Sequence, residues 1–414
     1  MSHEEQELKL TDRGSQSTFI DEEDLDFMFQ FFLAFQQYGG ASLGEMFNVS
    51  RRIDPTDPAS WEAEFVKEAQ RVEAIAEGCL EKGHRVSASD AFLRAHTLYR
   101  AAYVAVTPGA PNFVPVYRKS VECFEKSMKL KPFPVEFFDI PDNGFKFHSC
   151  LVKPDNSGKR RPTVMVICGG ESHLEDHYFM LAKGAIERGY NAFLWEGPYD
   201  VNNRHYNPTW TARTYDGPKF TGTYRKAFDT LAARPDVDPD RIVLTGDSYG
   251  GAKSLVIATA EDRFAAVIPN SPMVSQSRVL LSTPLPKAYG GTPEESAALQ
   301  ARLPFSSRVT LQRVTWAHGL DSLTEWIPIM EKNFIIDLRK IEMPFMALYS
   351  ESEAGELQKQ AEEAYEGVAS KVKTIRMTSK AEGADFHCQA NNLALANQVK
   401  FDWLDEVLGY DGTV

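Results

Sequence analysis

The sequence has no run of basic residues, no long apolar stretch and only five cysteines in 414 residues, and each lack excludes a class of protein. With 45 Lys and Arg against 58 Asp and Glu, the formal net charge is −13, so the clustered cations that grip a phosphate backbone are missing. No segment approaches the roughly 18 consecutive apolar residues of a membrane helix. Neither nucleic acid nor membrane is therefore expected as a partner. The opening residues Met1 to Glu7 are acidic and polar, which reads as neither a secretory nor a transit peptide. Cys79, Cys123, Cys150, Cys168 and Cys388 are odd in number and scattered, with no Cys-x-x-Cys. That pattern suits reduced thiols in a cytoplasmic protein rather than a disulfide framework or a zinc site. No Gly-rich nucleotide loop, dinucleotide fingerprint or zinc motif occurs, so no cofactor and no metal are expected. What is present is ordinary for a globular protein: 43% hydrophobic and 25% charged residues, in a chain long enough for two or three units.

Three regions differ in pattern. Residues 1–20 are polar and read as a disordered tail. Residues 21–131 read as an all-helical N-terminal cap. It opens on a dense aromatic stretch, Phe27, Phe29, Phe31, Phe32 and Phe35, which must be buried either in the chain's own core or at a subunit interface. After Asp54-Pro55-Thr56-Asp57-Pro58, Ser60 is a candidate N-cap. Trp61, Phe65, Ala69, Val72, Ile75 and Ala76 then recur at helical spacing, which marks one buried face. Gly83 ends that helix, Ser87 to Asp90 is the candidate cap of the next, and Val116 to Met128 forms a third. From residue 132 to 414 the pattern is that of a catalytic domain. A hairpin (135–152) precedes short apolar runs at 163–168, 191–195, 241–245, 265–268, 344–349 and 373–377, separated by helical stretches. This alternation predicts an α/β fold with a mostly parallel, doubly wound sheet. A long segment without strand character, about 272–342, reads as a lid inserted before the penultimate strand.

The chemistry is carried by Ile242-Val-Leu-Thr245 followed by Gly246-Asp247-Ser248-Tyr249-Gly250-Gly251 and a helical run. Strand, Gly-x-Ser-x-Gly, helix is the arrangement that lifts a serine hydroxyl above a sheet on a tight turn with no room for flanking side chains. Ser248 is the expected nucleophile. The N–H of Tyr249, at the helix N-terminus, is an expected oxyanion donor. A base must follow in chain order, and only His318 and His387 do. His387 lies after the last strand, where the α/β order places it, whereas His318 falls in the lid. The acid belongs just past strand 344–349, where Glu351, Glu353 and Glu356 compete. The loop length favours Glu353, with Glu351 the alternative. The second oxyanion donor is expected from Gly169-Gly170-Glu171-Ser172, through the N–H of Gly170 or Glu171. His173 and His177, one helical turn apart, read as a solvated helix face. Trp195, Glu196, Trp316, His318 and Tyr99 are candidate substrate contacts.

With the triad in place, the chain resembles a group of α/β-hydrolases that carry a helical N-terminal cap. The group includes dihydroxypseudooxynicotine hydrolase and fungal hydrolases that process polyketides in pigment and secondary-metabolite pathways. The resemblance rests on Arg52-Ile53-Asp54-Pro55 with Ser60-Trp61, Gly83-His84-Arg85-Val86-Ser87-Ala88 and Phe92-Leu93-Arg94-Ala95 in the cap. In the catalytic domain it rests on Gly169-Gly170-Glu171-Ser172, Gly246 to Gly251, Trp316-Ala317-His318-Gly319 and Ala384-Asp385-Phe386-His387-Cys388-Gln389. It implies hydrolysis of a small aromatic or polyketide-like substrate through an acyl-enzyme, in some members by cutting a carbon–carbon bond next to a ketone. It also implies a homodimer through the N-terminal region, which would suit the aromatic stretch. A glutamate at the acid position departs from the aspartate of many α/β-hydrolases. Carboxylesterase, acyl-transferring or cyclising enzyme, and non-catalytic binding protein are the alternatives on the same scaffold.

Overall fold

The computed structural model describes residues 13–14, 17–54, 57, 59–283 and 286–412. Five helices come first: α1 (Glu23–Ala34), α2 (Leu43–Ser50), α3 (Ala59–Glu81), α4 (Arg85–Val104) and α5 (Phe113–Met128). Eight strands follow: β1 (Val135–Asp142), β2 (Phe145–Val152), β3 (Arg161–Ile167), β4 (Asn191–Trp195), β5 (Val237–Asp247), β6 (Ala266–Asn270), β7 (Phe345–Ser350) and β8 (Lys373–Thr378). They form one sheet in the order β1-β2-β4-β3-β5-β6-β7-β8. β2 runs antiparallel to both neighbours, and every later pairing is parallel. The inner strands β3, β4, β6 and β7 are buried on both faces, as crossover helices require, while the edge strand β8 is mostly half-buried.

Alternation along β3 separates two cores. Val164 and Val166 face the side shared with the cap helices and the closing helix Leu393–Leu408, while Met165 and Ile167 face the other. Between β6 and β7 the chain makes an all-helical insertion whose longest element is the helix Phe305–Ala317. This insertion meets the cap directly. Ser307 Oγ donates to Asp24 Oδ2 at 2.6 Å, and Ser306 Oγ donates to Glu22.

The aromatic stretch is buried within the chain itself. Phe29, Phe32 and Phe35 are completely covered, and Phe35 stacks on Phe179 with ring centroids 4.4 Å apart. Much of the expected tail lies outside the described residues (1–12 and 15–16), but residues 17–20 are not loose. The buried Asp26 carboxylate accepts the backbone N–H groups of Thr18, Phe19 and Ile20 at 2.7–3.1 Å.

Both expected caps shift. Ser60 lies inside α3, and its hydroxyl bridges the Asp54 backbone at 2.9 and 3.2 Å. Pro55, Thr56 and Pro58 of the preceding turn lie outside the described residues. α4 begins at Arg85, so Ser87 to Asp90 are within its first turns, and His84 makes no side-chain capping bond. Polar residues near a helix start mark the boundary only to within a few positions.

Candidate active site

β5 ends at Asp247 and the helix Tyr249–Ala260 begins two residues later. Ser248, between them, is held at φ 59°, ψ −125°, a conformation that non-glycine residues adopt only where the surroundings enforce it. The enforcement comes from close backbone packing. A Cβ added to Gly246, Gly250 or Gly251 would lie 2.0–2.3 Å from a backbone carbonyl oxygen, so no larger residue fits the turn. Ser248 N donates to Asn270 O at 2.6 Å, and Gly251 N donates to Ser248 O at 2.7 Å.

His387 follows β8 and a short polar loop. Its Nδ1 lies 2.5 Å from Glu353 Oε1. The Glu353 side chain is fully buried and also accepts Ser271 Oγ at 2.5–2.6 Å and Ser350 N at 3.1 Å. A carboxylate so bonded accepts only, so Nδ1 carries the proton and Nε2 is the basic nitrogen. Glu351 points elsewhere, accepting Lys380 N at 2.8 Å, and Glu356 pairs with Arg278.

Ser248 and His387 line one cavity of about 200 Å³ whose walls are mainly apolar. Gly170, Glu171, Tyr249 and His318 line it too. The loop after β3 lies against the serine: a Cβ added to Gly169 would sit 3.2 Å from Ser248 Cβ. The N–H of Tyr249, first in its helix, has no intrahelical acceptor and is available to an oxyanion. Behind the loop, Ser172 Oγ takes the Gly169 N–H at 2.6 Å and meets His177 Nε2 at 3.0 Å. His177 Nδ1 lies 3.6 Å from Asp247, which also receives Lys400 Nζ at 3.0 Å. His173 and His177 are thus buried, not solvated, and burial depresses both imidazoles.

Glu171 ties three regions together through its side chain. Its carboxylate accepts Thr310 Oγ1 at 2.9 Å, contacts Arg13, and lies 3.7 Å from Arg313 Nη2. Burial alone would raise this carboxyl, but Arg13 and Arg313 together with the hydrogen bonds hold it at about 2. His318 is neutral, with burial pulling it to about 3, and its Nδ1 meets Val314 O at 2.8 Å.

Four expected substrate contacts lie away from this cavity, because each satisfies itself by packing elsewhere. Trp195 is fully buried edge-on to Tyr224. Glu196 accepts Leu174 N at 2.8 Å and Asn202 Nδ2 at 3.1 Å, and burial with Asp200 and Glu175 nearby raises its carboxyl. Tyr99 donates to Glu73 within the cap at 2.7 Å. Trp316 lines a separate surface groove with Tyr117 and His205. In their place the cavity takes residues that the sequence reading did not single out as contacts: Arg13, Arg100, Gln276 and Thr310, with Phe27 and Phe31 of the aromatic stretch. Arg100 had one legible signal, a lone cation inside the apolar run from Leu98 to Val106.

Among the described residues, two clusters bring metal-ligand atoms within 4.8 Å of one another: Glu353, His387 and Cys388, and Cys168, Glu196 and Asp200. In the first, the imidazole Nδ1 is engaged with Glu353. In the second, Lys253 Nζ pairs with Asp200 and supplies the positive charge.

Compared with known structures, the chain is similar to 2,6-dihydroxy-pseudo-oxynicotine hydrolase, with a TM-score of 0.68 over 92% of this chain and 97% of that one, at 18% identity. The chain has the α/β-hydrolase fold. Within it, residues 223–318, which contain the serine turn, match the Peptidase S9 prolyl oligopeptidase family. Among curated proteins, the α/β hydrolase gkaG of Penicillium citrinum is 28% identical over 62% of each chain. The 20-hydroxy-prefusarin hydrolase FUS2 of Gibberella moniliformis is 30% identical over 56% of each. The chain thus spans about three-fifths of the length of these relatives. No described helix of this α/β-hydrolase fold is long and apolar enough to cross a membrane.

Proposed function

We propose that the protein is a serine hydrolase acting on a carbonyl of a small, largely apolar, aromatic or polyketide-like metabolite. The observation that carries this reading is the 2.5 Å Glu353–His387 contact at the edge of a cavity that Ser248 also lines. Ser248 Oγ attacks the carbonyl as His387 Nε2 takes its proton. Glu353 holds the imidazole tautomer and stabilises the imidazolium. The N–H groups of Tyr249 and Gly170 stabilise the oxyanion, each contributing roughly 3 kcal/mol. The Glu171 N–H is the alternative second donor. His387 then protonates the leaving group, and water clears the acyl-enzyme. The relatives named as hydrolases of fungal origin support a role in secondary metabolism, and the carbon–carbon variant of this chemistry is included in the proposal.

Mass spectrometry of the protein and Ser248→Ala, each incubated with an aryl ester and an aromatic β-diketone, tests the reading. Turnover by the parent alone supports it. Equal turnover by Ser248→Ala contradicts it. Ester cleavage without diketone cleavage removes the carbon–carbon variant and leaves the esterase.

A further inference from the structure

A second concavity shares no lining residue with the serine cavity. It is an open groove of about 510 Å³ where the cap, the catalytic domain and the insertion meet, between α5, the short helix Asn203–Tyr206 and the end of the helix Phe305–Ala317. Ligand sites favour such junctions. Its walls are aromatic. Tyr117 stacks on His205 with ring centroids 3.7 Å apart and planes 6° apart, and the half-buried Tyr206 and Trp316 complete the lining. Its charge is positive. Arg118 is exposed and forms no hydrogen bond or ion pair among the described residues. Arg204 donates to the carbonyls of Trp316 and Pro208 at 2.5 and 3.1 Å, which are neutral acceptors, and burial lowers its pKa with no carboxylate to offset it. Glu122, the carboxylate that lines the groove, faces Lys119 at 3.8 Å instead. A chain of net charge −13 thus presents two uncompensated guanidinium groups beside exposed aromatic planes.

The groove also offers a fixed neutral donor. Burial, with Arg118 nearby, pulls His205 down to about 3, so the ring is uncharged. The buried Tyr103 hydroxyl meets His205 Nε2 at 2.9 Å and has no other acceptor, so it donates there and Nδ1 carries the ring proton. Nδ1 has no partner among the described residues and is not shut away from solvent. We propose that this groove is a second ligand site, separate from the serine cavity, that binds the carboxylate of a planar aromatic acid. The ring packs on Trp316 and Tyr206, and the carboxylate takes the His205 Nδ1–H in the field of Arg118 and Arg204. Aromatic stacking, a fixed donor and unpaired cations each favour a flat anion over an aliphatic or a cationic ligand.

The test is calorimetric titration of the full chain with 2-naphthoate and with 2-naphthylmethanol, which keeps the ring and lacks the charge. The acid is expected to bind with a Kd below about 1 mM and at least about tenfold more tightly than the alcohol, a margin that narrows as salt is added. Arg118→Gln should weaken the acid by at least about threefold and leave the alcohol unchanged. Trp316→Leu should weaken both by about fivefold. If that variant does not fold, Arg118→Gln, at an exposed position, carries the test. Phe31→Ala, on the wall of the serine cavity, and Ser248→Ala should both keep the parent's affinity. Binding lost in Phe31→Ala but kept in Arg118→Gln would put the probe in the serine cavity and overturn the proposal. Equal affinity for acid and alcohol, or no binding up to about 5 mM, would overturn it too. None of these readings depends on ester turnover, so the serine chemistry and the second site can each fail alone.

Discussion

The two walls of the cavity are built in different ways. The floor is made by the ends of β3, β5 and β7 and the loop after β8. There, forced glycines and backbone hydrogen bonds fix Ser248, while Glu353 is held by Ser271 Oγ and the Ser350 N–H and in turn holds His387. The roof is made by side chains from α1, α4 and the insertion, including Phe27, Phe31 and Leu311. It is apolar, with charge concentrated around Glu171 and Arg100. A site of this kind holds its chemistry by backbone geometry and sets its choice of substrate by side chains, which change at far lower cost to the fold.

Substitutions on the two walls should separate accordingly. Ser248→Ala is expected to lower kcat by about 10⁴-fold or more with the fold unchanged, read by ester turnover and circular dichroism. Glu353→Gln should lower kcat by roughly 10²- to 10⁴-fold with little change in KM, because the imidazole loses the carboxylate that fixes its tautomer. A comparable rise in KM would place Glu353 among the binding groups instead. On the roof, Phe31→Ala should raise KM for an aryl ester by about tenfold and leave kcat within a few-fold, from roughly 1.5 kcal/mol of lost apolar contact. A larger fall in kcat than in affinity would break the division between the walls.

The smallest effects concern two glutamates in one loop whose titrations oppose each other. Glu175 is buried, and burial with Asp176 alongside raises its carboxyl to about 7. Between the ordinary 4.5 and about 7 the native state binds the proton that the unfolded state has lost, so stability falls as pH rises through that window. Glu171, held at about 2, stabilises the fold above 4.5, and that contribution is lost as pH falls toward 2. The Tm of Glu175→Gln should therefore exceed the parent's most at pH 8 and least at pH 5, with a gap of up to ~3 kcal/mol. A Tm gap that does not depend on pH would contradict the buried carboxyl.

The floor was far more legible than the roof. Apolar runs placed the strands to within a few residues, because strands buried on both faces show as continuous hydrophobic stretches. Loop length past β7 singled out Glu353, the carboxylate that meets His387, over Glu351. The roof was not legible because its residues meet only through tertiary packing. Arg13 and Arg100 reach the cavity from different segments, and both act on Glu171. His173 and His177 misled because helical spacing resembles an exposed face, and nothing local shows the cap laid over it. Trp316 and Tyr99 misled for the converse reason: large aromatic residues next to a cap or lid usually complete a core.

The most direct test of the central claim is peptide mass spectrometry after treating the protein with a fluorophosphonate. A single phosphonyl adduct on Ser248, absent in Ser248→Ala and slowed by at least about 100-fold in His387→Ala, is the expected result. An adduct on another residue, or no adduct on folded protein, would contradict the assignment of Ser248 as an activated nucleophile.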